Sequence, residues 1–413
     1  MKAIIISIGD EILIGQVINT NAAFISSKLN SVGIEVDTVL TVGDTEEAIL
    51  KGFRESASGH DLVVVTGGLG PTHDDITRTA VCKFFQTKLV SSQEARRDIE
   101  TFLAARARPW SDAAEDQTLI PQGATVMPNR HGTAPGEFFE REGRYFIVMP
   151  GVPQEMEGMM NDFVVPFFRQ HPTGGHILHL TLNTTGIPES TLASRLGNIE
   201  ELLRGEKLAF LPSTGGVRMR ITVSGSDMKK CEQKLSSIEA SIREKAGKYI
   251  FSAGDISLEA AVGELLQSRG LKLAVAESCT GGLLADKITN VPGSSAYFER
   301  GIVAYSNASK ADLLHVANEL IKAHGAVSKE VAEAMAIGIR SVAGVDIGVS
   351  TTGIAGPSGG TESKPVGTVW IAYSDAKETV ALKLNLGSDR LRIKERASQA
   401  ALELVRRKVL NLG

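Results

Sequence analysis

The chain has 413 residues, of which 42% are hydrophobic and 22% are charged, and its formal net charge is −4. This composition excludes whole-chain disorder and a collagen-like fold, and the length predicts two or three domains. The slightly acidic balance, without a basic tail, argues against nucleic-acid binding through general phosphate attraction.

The three cysteines, Cys82, Cys231 and Cys279, are odd in number, far apart and without CxxC spacing. A disulfide framework and a cysteine zinc site are therefore not expected. The opening MKAIIISIGDEI contains an apolar run too short for a signal peptide, and no uncharged apolar run approaches the ~20 residues of a membrane span. These features predict a cytoplasmic protein.

The first segment alternates short apolar runs with helical patterns. Strands are predicted at 3–8, 34–40, 62–65 and 145–150, and helices at 20–31 and 75–86. Strands that are apolar on both faces are typical of parallel sheets covered by helices. This alternation of strands and helices predicts a doubly wound α/β domain over residues 1–172.

Pro-Gly clusters near 170–176 and a second break near 252–256 predict two domain boundaries. Between them, strands at 177–185 and 217–224 and helices at 189–203 and 227–246 indicate a small α+β domain over 173–252. The remainder, 253–413, reads as a glycine-rich α/β domain. Its predicted elements are helices at 257–269, 308–320 and 392–410 and strands at 272–276, 346–351 and 366–373.

The first glycine loop, TGGLGPTHDD at 66–75, follows a buried strand and precedes a helix. Successive glycines allow backbone N–H groups to converge on an anion, and the helix N-terminus adds positive potential. Asp74 and Asp75 would repel a bare phosphate, so a divalent cation between carboxylate and phosphate is expected. Asp10 and Glu11 should emerge at the same sheet edge. Either aspartate alone is better explained as a helix cap, but the whole ten-residue string with a second acidic pair nearby favours a ligand site.

A second candidate centre lies where strand 272–276 runs into ESCTGG. A nucleophile on such a turn is exposed next to backbone N–H groups that could hold an oxyanion. Ser278 and Cys279 are both candidates, and intrinsic reactivity favours the thiol. Lys310 is the nearest candidate base, but it must be neutral to act, which requires burial. On the physics of the residues alone, an ordinary surface lysine is favoured.

The motifs together resemble the competence/damage-inducible protein CinA family over essentially the full chain. TGGLGPTHDD, GTAPG (132–136) and MPGVPQEM (149–156) are similar to its molybdopterin-binding-like N-terminal domain. AESCTGG (276–282), YSNASK (305–310), TGIAGPSGG (352–360) and GSDR (387–390) are similar to its nicotinamide mononucleotide deamidase domain. The family's middle domain is KH-like, yet no GxxG clamp is found in 173–252, so nucleic acid is not an expected partner.

The resemblance implies that the C-terminal domain hydrolyses nicotinamide mononucleotide to nicotinic acid mononucleotide and ammonia, without a cofactor. The implied catalytic residues are Ser278, Lys310 and Tyr305, with Ser278 rather than Cys279 as nucleophile. The strand-to-helix turn predicts that backbone N–H groups near 280–282 hold the oxyanion. The implied substrate-binding residues are Thr280, Gly281, Gly282, Thr352, Gly353 and Arg390.

The resemblance also implies that the N-terminal domain is a metal-dependent ADP-ribose pyrophosphatase that yields AMP and ribose 5-phosphate. Its divalent cation would be Mg²⁺, Mn²⁺ or Co²⁺, held by Asp75, Asp74 and Glu11. The implied substrate contacts are Gly67, Gly68, Gly70, Thr72, Asp74 and Thr133. The resemblance further implies a homodimer. The alternatives left open are a pterin- or nucleotide-binding N-terminal module without catalysis and a scaffold with vestigial pockets.

Overall fold

The structure is a computed structural model and describes residues 1–70, 76–171 and 175–412. Its internal contacts divide the chain into two units. The first comprises Met1–Leu178 with Val223–Lys234, and the second comprises His179–Thr222 with Leu235–Gly413. None of the described helices combines the length and apolar character that crossing a bilayer requires.

The first unit is built on a six-stranded sheet with helices on both faces. The strands of this unit are β1 (Lys2–Ile8), β2 (Glu35–Val42), β3 (Leu62–Thr66), β4 (Leu89–Ser91), β5 (Leu119–Pro121), β6 (Thr125–Met127), β7 (Gly136–Arg141) and β8 (Arg144–Met149). Of these, β4 and β5 pair with each other in a separate two-stranded sheet. The helices of this unit are α1 (Asp10–Leu13), α2 (Thr20–Asn30), α3 (Glu46–Ala57), α4 (Thr77–Phe85), α5 (Gln93–Ala104), α6 (Asp112–Gln117), α7 (Pro153–Met159) and α8 (Val165–Gln170).

The order of the six-stranded sheet is β2-β1-β3-β8-β7-β6. The strands β2, β1, β3 and β8 are parallel to one another. Strand β7 pairs antiparallel with β8 on one side and with β6 on the other. Successive residues of the central strands alternate between two cores, so that Ile5 and Val64 face α2 and α7 while Ile6 and Val65 face α3 and α4. The predicted α/β fold is confirmed, with an antiparallel edge that the predicted strands did not include.

The middle segment forms a four-stranded sheet of order β10-β11-β9-β12. Its strands are β9 (His176–Thr184), β10 (Lys207–Ser213), β11 (Gly216–Gly225) and β12 (Ile250–Ala253), and its helices are α9 (Glu189–Leu196), α10 (Ile199–Leu203) and α11 (Met228–Ala246). The single helix predicted at 189–203 is wrong. Gly197 ends α9, and the side chain of Asn198 caps α10 by accepting from the Glu201 N–H.

The C-terminal segment folds around a five-stranded sheet of order β14-β13-β15-β16-β17. Its strands are β13 (Leu273–Glu277), β14 (Phe298–Val303), β15 (Ile347–Gly353), β16 (Thr368–Ser374) and β17 (Thr379–Asn385). Its helices are α12 (Leu258–Ser268), α13 (Leu283–Thr289), α14 (Asn307–Leu314), α15 (Asn318–His324), α16 (Lys329–Ala343) and α17 (Arg390–Val409).

The helix predicted at 308–320 is likewise two helices. It ends at Leu314 because His315 adopts a left-handed conformation with φ of 57° and its N–H returns to the Ala311 carbonyl. The break gives a short helix, α14, that directly follows the end of β14. Lys310 therefore lies close to the carboxyl edge of the sheet.

Candidate active site

Ser278 directly follows β13 and is held by both neighbouring strands. Its N–H donates to the Thr351 carbonyl at 2.9 Å, while the Glu277 carbonyl accepts from the Ala304 N–H at 2.8 Å. Only 8% of Ser278 is exposed. The serine is therefore fixed at the carboxyl ends of three parallel strands, which is where ligands bind in open α/β sheets.

Lys310 on α14 turns its side chain into the protein and meets Ser278. Its Nζ lies 3.1 Å from Ser278 Oγ, 2.9 Å from the Ala304 carbonyl oxygen and 3.4 Å from the Tyr305 carbonyl oxygen. Side chains in helices point back toward the N-terminus, which directs this amine toward the residues before α14. The prediction of an ordinary surface lysine is wrong, because Lys310 is 1% exposed.

The amine of Lys310 has no acidic partner among the described residues, where its hydrogen-bonding atoms are a hydroxyl and two carbonyls. Burial without a counter-charge disfavours the ammonium form and lowers the pKa of Lys310 below its ordinary value of 10.5. A lowered pKa is what a lysine needs in order to take a proton from a neighbouring hydroxyl.

Cys279, the competing nucleophile, is packed into the hydrophobic core of the C-terminal sheet and is 6% exposed. Burial raises the pKa of its thiol to about 12. Since the thiolate is the reactive form, this cysteine is an inert packing residue at neutral pH. Its neighbour Ser278 carries the better-placed nucleophilic atom.

Glu277 is a buried carboxylate that organises the loop after the nucleophile. Its Oε2 accepts from the N–H groups of Gly282 and Leu284, both at 3.0 Å, and its Oε1 accepts from the Ala285 N–H at 2.8 Å. These are the orphan donors at the start of α13. Gly282 allows the tight return because its φ is +95°, a region that favours glycine.

The N–H group of Gly282 already donates to Glu277, so it is not free to hold an oxyanion. The candidate oxyanion donors are therefore the N–H groups of the residues before Gly282. Within the described chain, the backbone N–H groups of Thr280 and Gly281 donate to no other atom. They lie two and three residues after Ser278, in the loop that Glu277 holds. They are therefore available to negative charge that develops beside the serine.

Three further residues that were predicted to contact the substrate, Thr280, Thr352 and Gly353, lie in this loop or at the end of β15. The hydroxyls of Thr280 and Thr351 are 2.7 Å apart and buried, so Thr280 offers a ligand its backbone rather than its side chain. The Thr352 hydroxyl donates to the Ala326 carbonyl at 2.8 Å. A side chain at Gly353 would collide with Val369 of β16, so this glycine permits close strand packing.

Tyr305 and Arg390 form the exposed rim of the site. Arg390 Nη1 donates to the Gly356 carbonyl at 2.6 Å, and Nη2 donates to the Tyr305 hydroxyl at 3.3 Å. Tyr305 is 62% exposed. The structure thus connects the predicted tyrosine and arginine to each other, and it connects the arginine to the glycine loop after β15.

A second group of loops meets at the carboxyl edge of the first unit. Thr66 ends β3 and donates through its hydroxyl to the Pro150 carbonyl at 3.0 Å, and Gly67 N–H donates to Met149 at 3.1 Å. Gly67 has a φ of +116°, and a side chain there would collide with the Ile8 carbonyl oxygen. Thr77 ties the start of α4 to this loop by donating to the Gly67 carbonyl at 3.1 Å.

A cavity of about 110 Å³ opens at this edge. Its polar lining includes Ser7, Glu11, Asn19, Asn21 and Thr66. Glu11, which the resemblance implies as a metal ligand, lies in this lining, whereas the asparagines were not expected. The only sequence signal for the asparagines is their position at the start of a helix that follows the Asp10-Glu11 turn.

Asn21 bridges two of these loops, because its amide donates to the Gly151 carbonyl at 2.7 Å and to the Thr66 hydroxyl at 3.3 Å. Gly68 and Gly70 continue the loop after β3 and are half-buried. The predicted Thr72, Asp74 and Asp75 lie outside the described residues. Within the ranges that the structure describes, no group of three or more acidic, histidine or cysteine side chains forms a metal site.

Thr133 lies half-buried in a loop that Asn129 shapes. The Asn129 Oδ1 accepts from the N–H groups of His131 and Gly132 at 3.0 and 2.9 Å, and its amide donates to Glu155 Oε2 at 2.7 Å. Burial raises the pKa of Glu155. This network fixes the GTAPG loop against the first turn of α7.

Three family models match consecutive parts of the chain. They are the probable molybdopterin binding domain over residues 4–170, the damage-inducible protein CinA KH domain over 179–252 and the CinA C-terminal domain over 255–409. The crystal structure of competence/damage inducible protein CihA from Agrobacterium tumefaciens is 38% identical, with a TM-score of 0.36, and the match covers 37% of this chain and 94% of that one.

Full-length relatives extend this similarity across all three segments. The chain is 46% identical to the CinA-like protein of Chloroherpeton thalassium, over 98% of this chain and 99% of that protein. It is 41% identical to the putative competence-damage inducible protein of Caldicellulosiruptor saccharolyticus, over 100% of both. The protein therefore belongs to the CinA family.

Proposed function

We propose that the C-terminal domain is an amidohydrolase that converts nicotinamide mononucleotide and water into nicotinic acid mononucleotide and ammonia. The observation that carries the proposal is the buried Lys310 amine, 3.1 Å from Ser278 Oγ and without an acidic partner in the described chain. A serine–lysine pair of this kind activates the hydroxyl without a histidine or a metal.

The contacts of Lys310 suit a neutral amine. A neutral amine has two N–H bonds and one lone pair. Its N–H groups can donate to the carbonyls of Ala304 and Tyr305, which leaves the lone pair to accept the Ser278 proton. Serine Oγ then attacks the carboxamide carbon, and the carbonyl oxygen becomes an oxyanion facing the free amides of Thr280 and Gly281.

The proton taken by Lys310 is returned to the amide nitrogen, so the carbon–nitrogen bond breaks and ammonia leaves an acyl-serine ester. Water then attacks that ester while the neutral lysine takes the proton of the water. Collapse of the second oxyanion breaks the bond to Ser278 and returns the proton to its Oγ. The balance is one amide and one water consumed, with one carboxylic acid and one ammonia formed.

The test is a coupled assay of ammonia together with chromatographic detection of nicotinic acid mononucleotide, using the full-length protein without added metal. Equal molar amounts of both products support the proposal. Protein that is folded by circular dichroism yet forms neither product would contradict it.

For the N-terminal domain we propose metal-dependent hydrolysis of ADP-ribose to AMP and ribose 5-phosphate. Support comes from three loops that converge on a polar cavity at the sheet edge, with Glu11 among its lining residues. Glu11 would hold Mg²⁺, Mn²⁺ or Co²⁺ together with Asp74 and Asp75, and the cation would neutralise the diphosphate charge. The alternative is a module that binds a pterin or nucleotide without catalysis.

AMP formation from ADP-ribose distinguishes the two possibilities for this domain. The full-length protein is incubated with each cation in turn and then with excess chelator. Formation of AMP that stops with chelator supports hydrolysis. Binding of ADP-ribose without AMP formation under any of the cations would support the non-catalytic module.

A further inference from the structure

Lys394 on α17 is a cation that faces the nucleophile loop. Its Nζ lies 3.6 Å from the position that a Cβ atom would occupy at residue 281. The described residues supply no carboxylate within ion-pair distance of this ammonium. A half-buried ammonium without an acidic partner, beside a loop with free N–H groups, has the charge and position to bind an anion.

The acidic residues next to Lys394 in the sequence are engaged elsewhere. Glu395 pairs with Lys287, with an N–O distance of 2.8 Å. Asp389 caps α17, and its Oδ1 accepts from the backbone N–H of Arg392 at 2.8 Å. The positive charge of Lys394 is therefore not cancelled by either of these carboxylates.

Arg390 precedes Lys394 by one helical turn, so the two side chains lie on the same face of α17. Arg390 already donates to the Gly356 carbonyl and to the Tyr305 hydroxyl through its two Nη atoms. Those contacts fix the guanidinium and leave its Nε without a hydrogen-bond partner in the described chain. Two cations thus border the loop that begins at Ser278.

We propose that Lys394 and Arg390 form a subsite for the phosphate monoester of the substrate, with Lys394 as a substrate-binding residue. This inference rests on the proposed deamidase function. Ser278 and Gly281 belong to one loop, and the three residues of chain between their Cα atoms keep them within about 11 Å of each other. A mononucleotide whose carboxamide is held at Ser278 can therefore direct its 5′-phosphate toward the side of the loop that Lys394 faces.

Gly281 has a φ of +59°, a region that favours glycine, so the loop carries no side chain at the position that Lys394 faces. The subsite makes the enzyme selective for the nucleotide over the corresponding riboside, because removal of the phosphate leaves the two cations without their partner.

The test measures binding in full-length protein carrying Ser278→Ala, which keeps the ligand intact. Nicotinamide mononucleotide and nicotinamide riboside are titrated by calorimetry into this protein and into the same protein with Lys394→Met added. Arg392→Met is the matched control, because it is an exposed cation on the same helix whose backbone alone contacts Asp389.

We expect Lys394→Met to weaken binding of the mononucleotide by roughly ten- to hundredfold, the usual effect of losing one charge-assisted hydrogen bond. Arg392→Met should change it less than twofold. Riboside affinity should be unaffected by Lys394→Met, and a riboside too weak to detect also agrees with binding dominated by the phosphate.

Unchanged mononucleotide affinity in the Lys394 variant would overturn the subsite, as would an equal loss for both ligands or the absence of mononucleotide binding. The ammonia assay of the wild-type protein reports separately on the proposed function. If the wild type hydrolyses the mononucleotide but Lys394→Met leaves its affinity unchanged, only the subsite is refuted. Binding that depends on Lys394 without hydrolysis refutes the deamidase alone.

Discussion

Lys310 is the residue on which the proposed chemistry depends, because its ordinary charged form could not take a proton from Ser278. No local pattern in the sequence indicates that this lysine is buried. It lies near the start of a short helix with weak amphipathic character, where a lysine is normally solvated. Its position follows from the end of β14 and the break at His315, which are tertiary features. Only the YSNASK motif shared with the CinA family predicts a catalytic role for this lysine.

A first prediction concerns the pH dependence of stability. The pKa of Lys310 is lowered in the folded protein, so between that pKa and 10.5 the unfolded chain binds more protons than the folded chain. The free energy of unfolding of the wild type should therefore rise with pH relative to Lys310→Met, by at most about 1.4 kcal/mol per pH unit. Urea denaturation from pH 7 to 10 measures the difference.

Lys322→Met removes an exposed lysine from the neighbouring helix and serves as the matched control. Its difference from the wild type should show no such trend. A difference between wild type and Lys310→Met that stays flat, or that favours the variant as pH rises, would show that Lys310 is protonated in the folded protein.

At the scale of elements, the turn between β13 and α13 joins the sheet to the nucleophile. The sequence predicted this strand and this turn, because an apolar run is followed closely by two glycines. It did not reveal the role of Glu277. The available signal was an acidic residue at the end of a fully buried strand, where an unpartnered carboxylate would be costly.

The second prediction is that Glu277→Gln destabilises this turn. The amide can still accept a hydrogen bond, but its NH₂ group replaces one acceptor of the N–H groups of Gly282, Leu284 and Ala285. Loss of one or more of these bonds should cost about 1–3 kcal/mol of unfolding free energy, measured by urea denaturation. Deamidase activity should fall with it, because the free amides belong to the same loop.

Glu319→Gln is the comparison for this prediction, since Glu319 lies in the first turn of α15 but is exposed. It should change stability by less than about 0.5 kcal/mol. If Glu277→Gln is as stable as the wild type, the carboxylate does not hold the loop.

Within the first unit, the sequence predicted the four parallel strands from their apolar runs but not β6 and β7. β6 is three residues long, and β7 is interrupted by the polar Glu137 and Glu140, so neither has the pattern of a buried strand. The sequence predicted the loops that surround the polar cavity but not the contacts between them. Asn21 contacts Thr66 and Gly151 only because the fold brings these distant residues together.

At the scale of the whole molecule, the two candidate sites belong to different units of the chain. Ser278 and Lys310 lie in the second unit, and Glu11 and the Gly67 loop lie in the first. The proposed reactions also differ in chemistry, since one uses a neutral amine and the other a divalent cation. The length and the Pro-Gly breaks predict three domains, the internal contacts divide the chain into two units, and three family models match consecutive ranges.

The third prediction is that the two activities are lost independently. Ser278→Ala should abolish ammonia release and leave AMP formation from ADP-ribose within about twofold of the wild type. Excess chelator should do the reverse. Loss of both activities from either treatment would contradict two separate sites, and both assays can be run on one protein preparation.

The most direct measurement is the rate of ammonia release from nicotinamide mononucleotide by Ser278→Ala and Cys279→Ala, made in parallel in the full-length protein. Ser278→Ala should lower the rate by roughly 10⁴-fold or more, as loss of a nucleophile does. Cys279→Ala should retain most of it, because burial raises the pKa of that thiol to about 12 and keeps it protonated. An active Ser278→Ala together with an inactive, folded Cys279→Ala would contradict the serine–lysine mechanism.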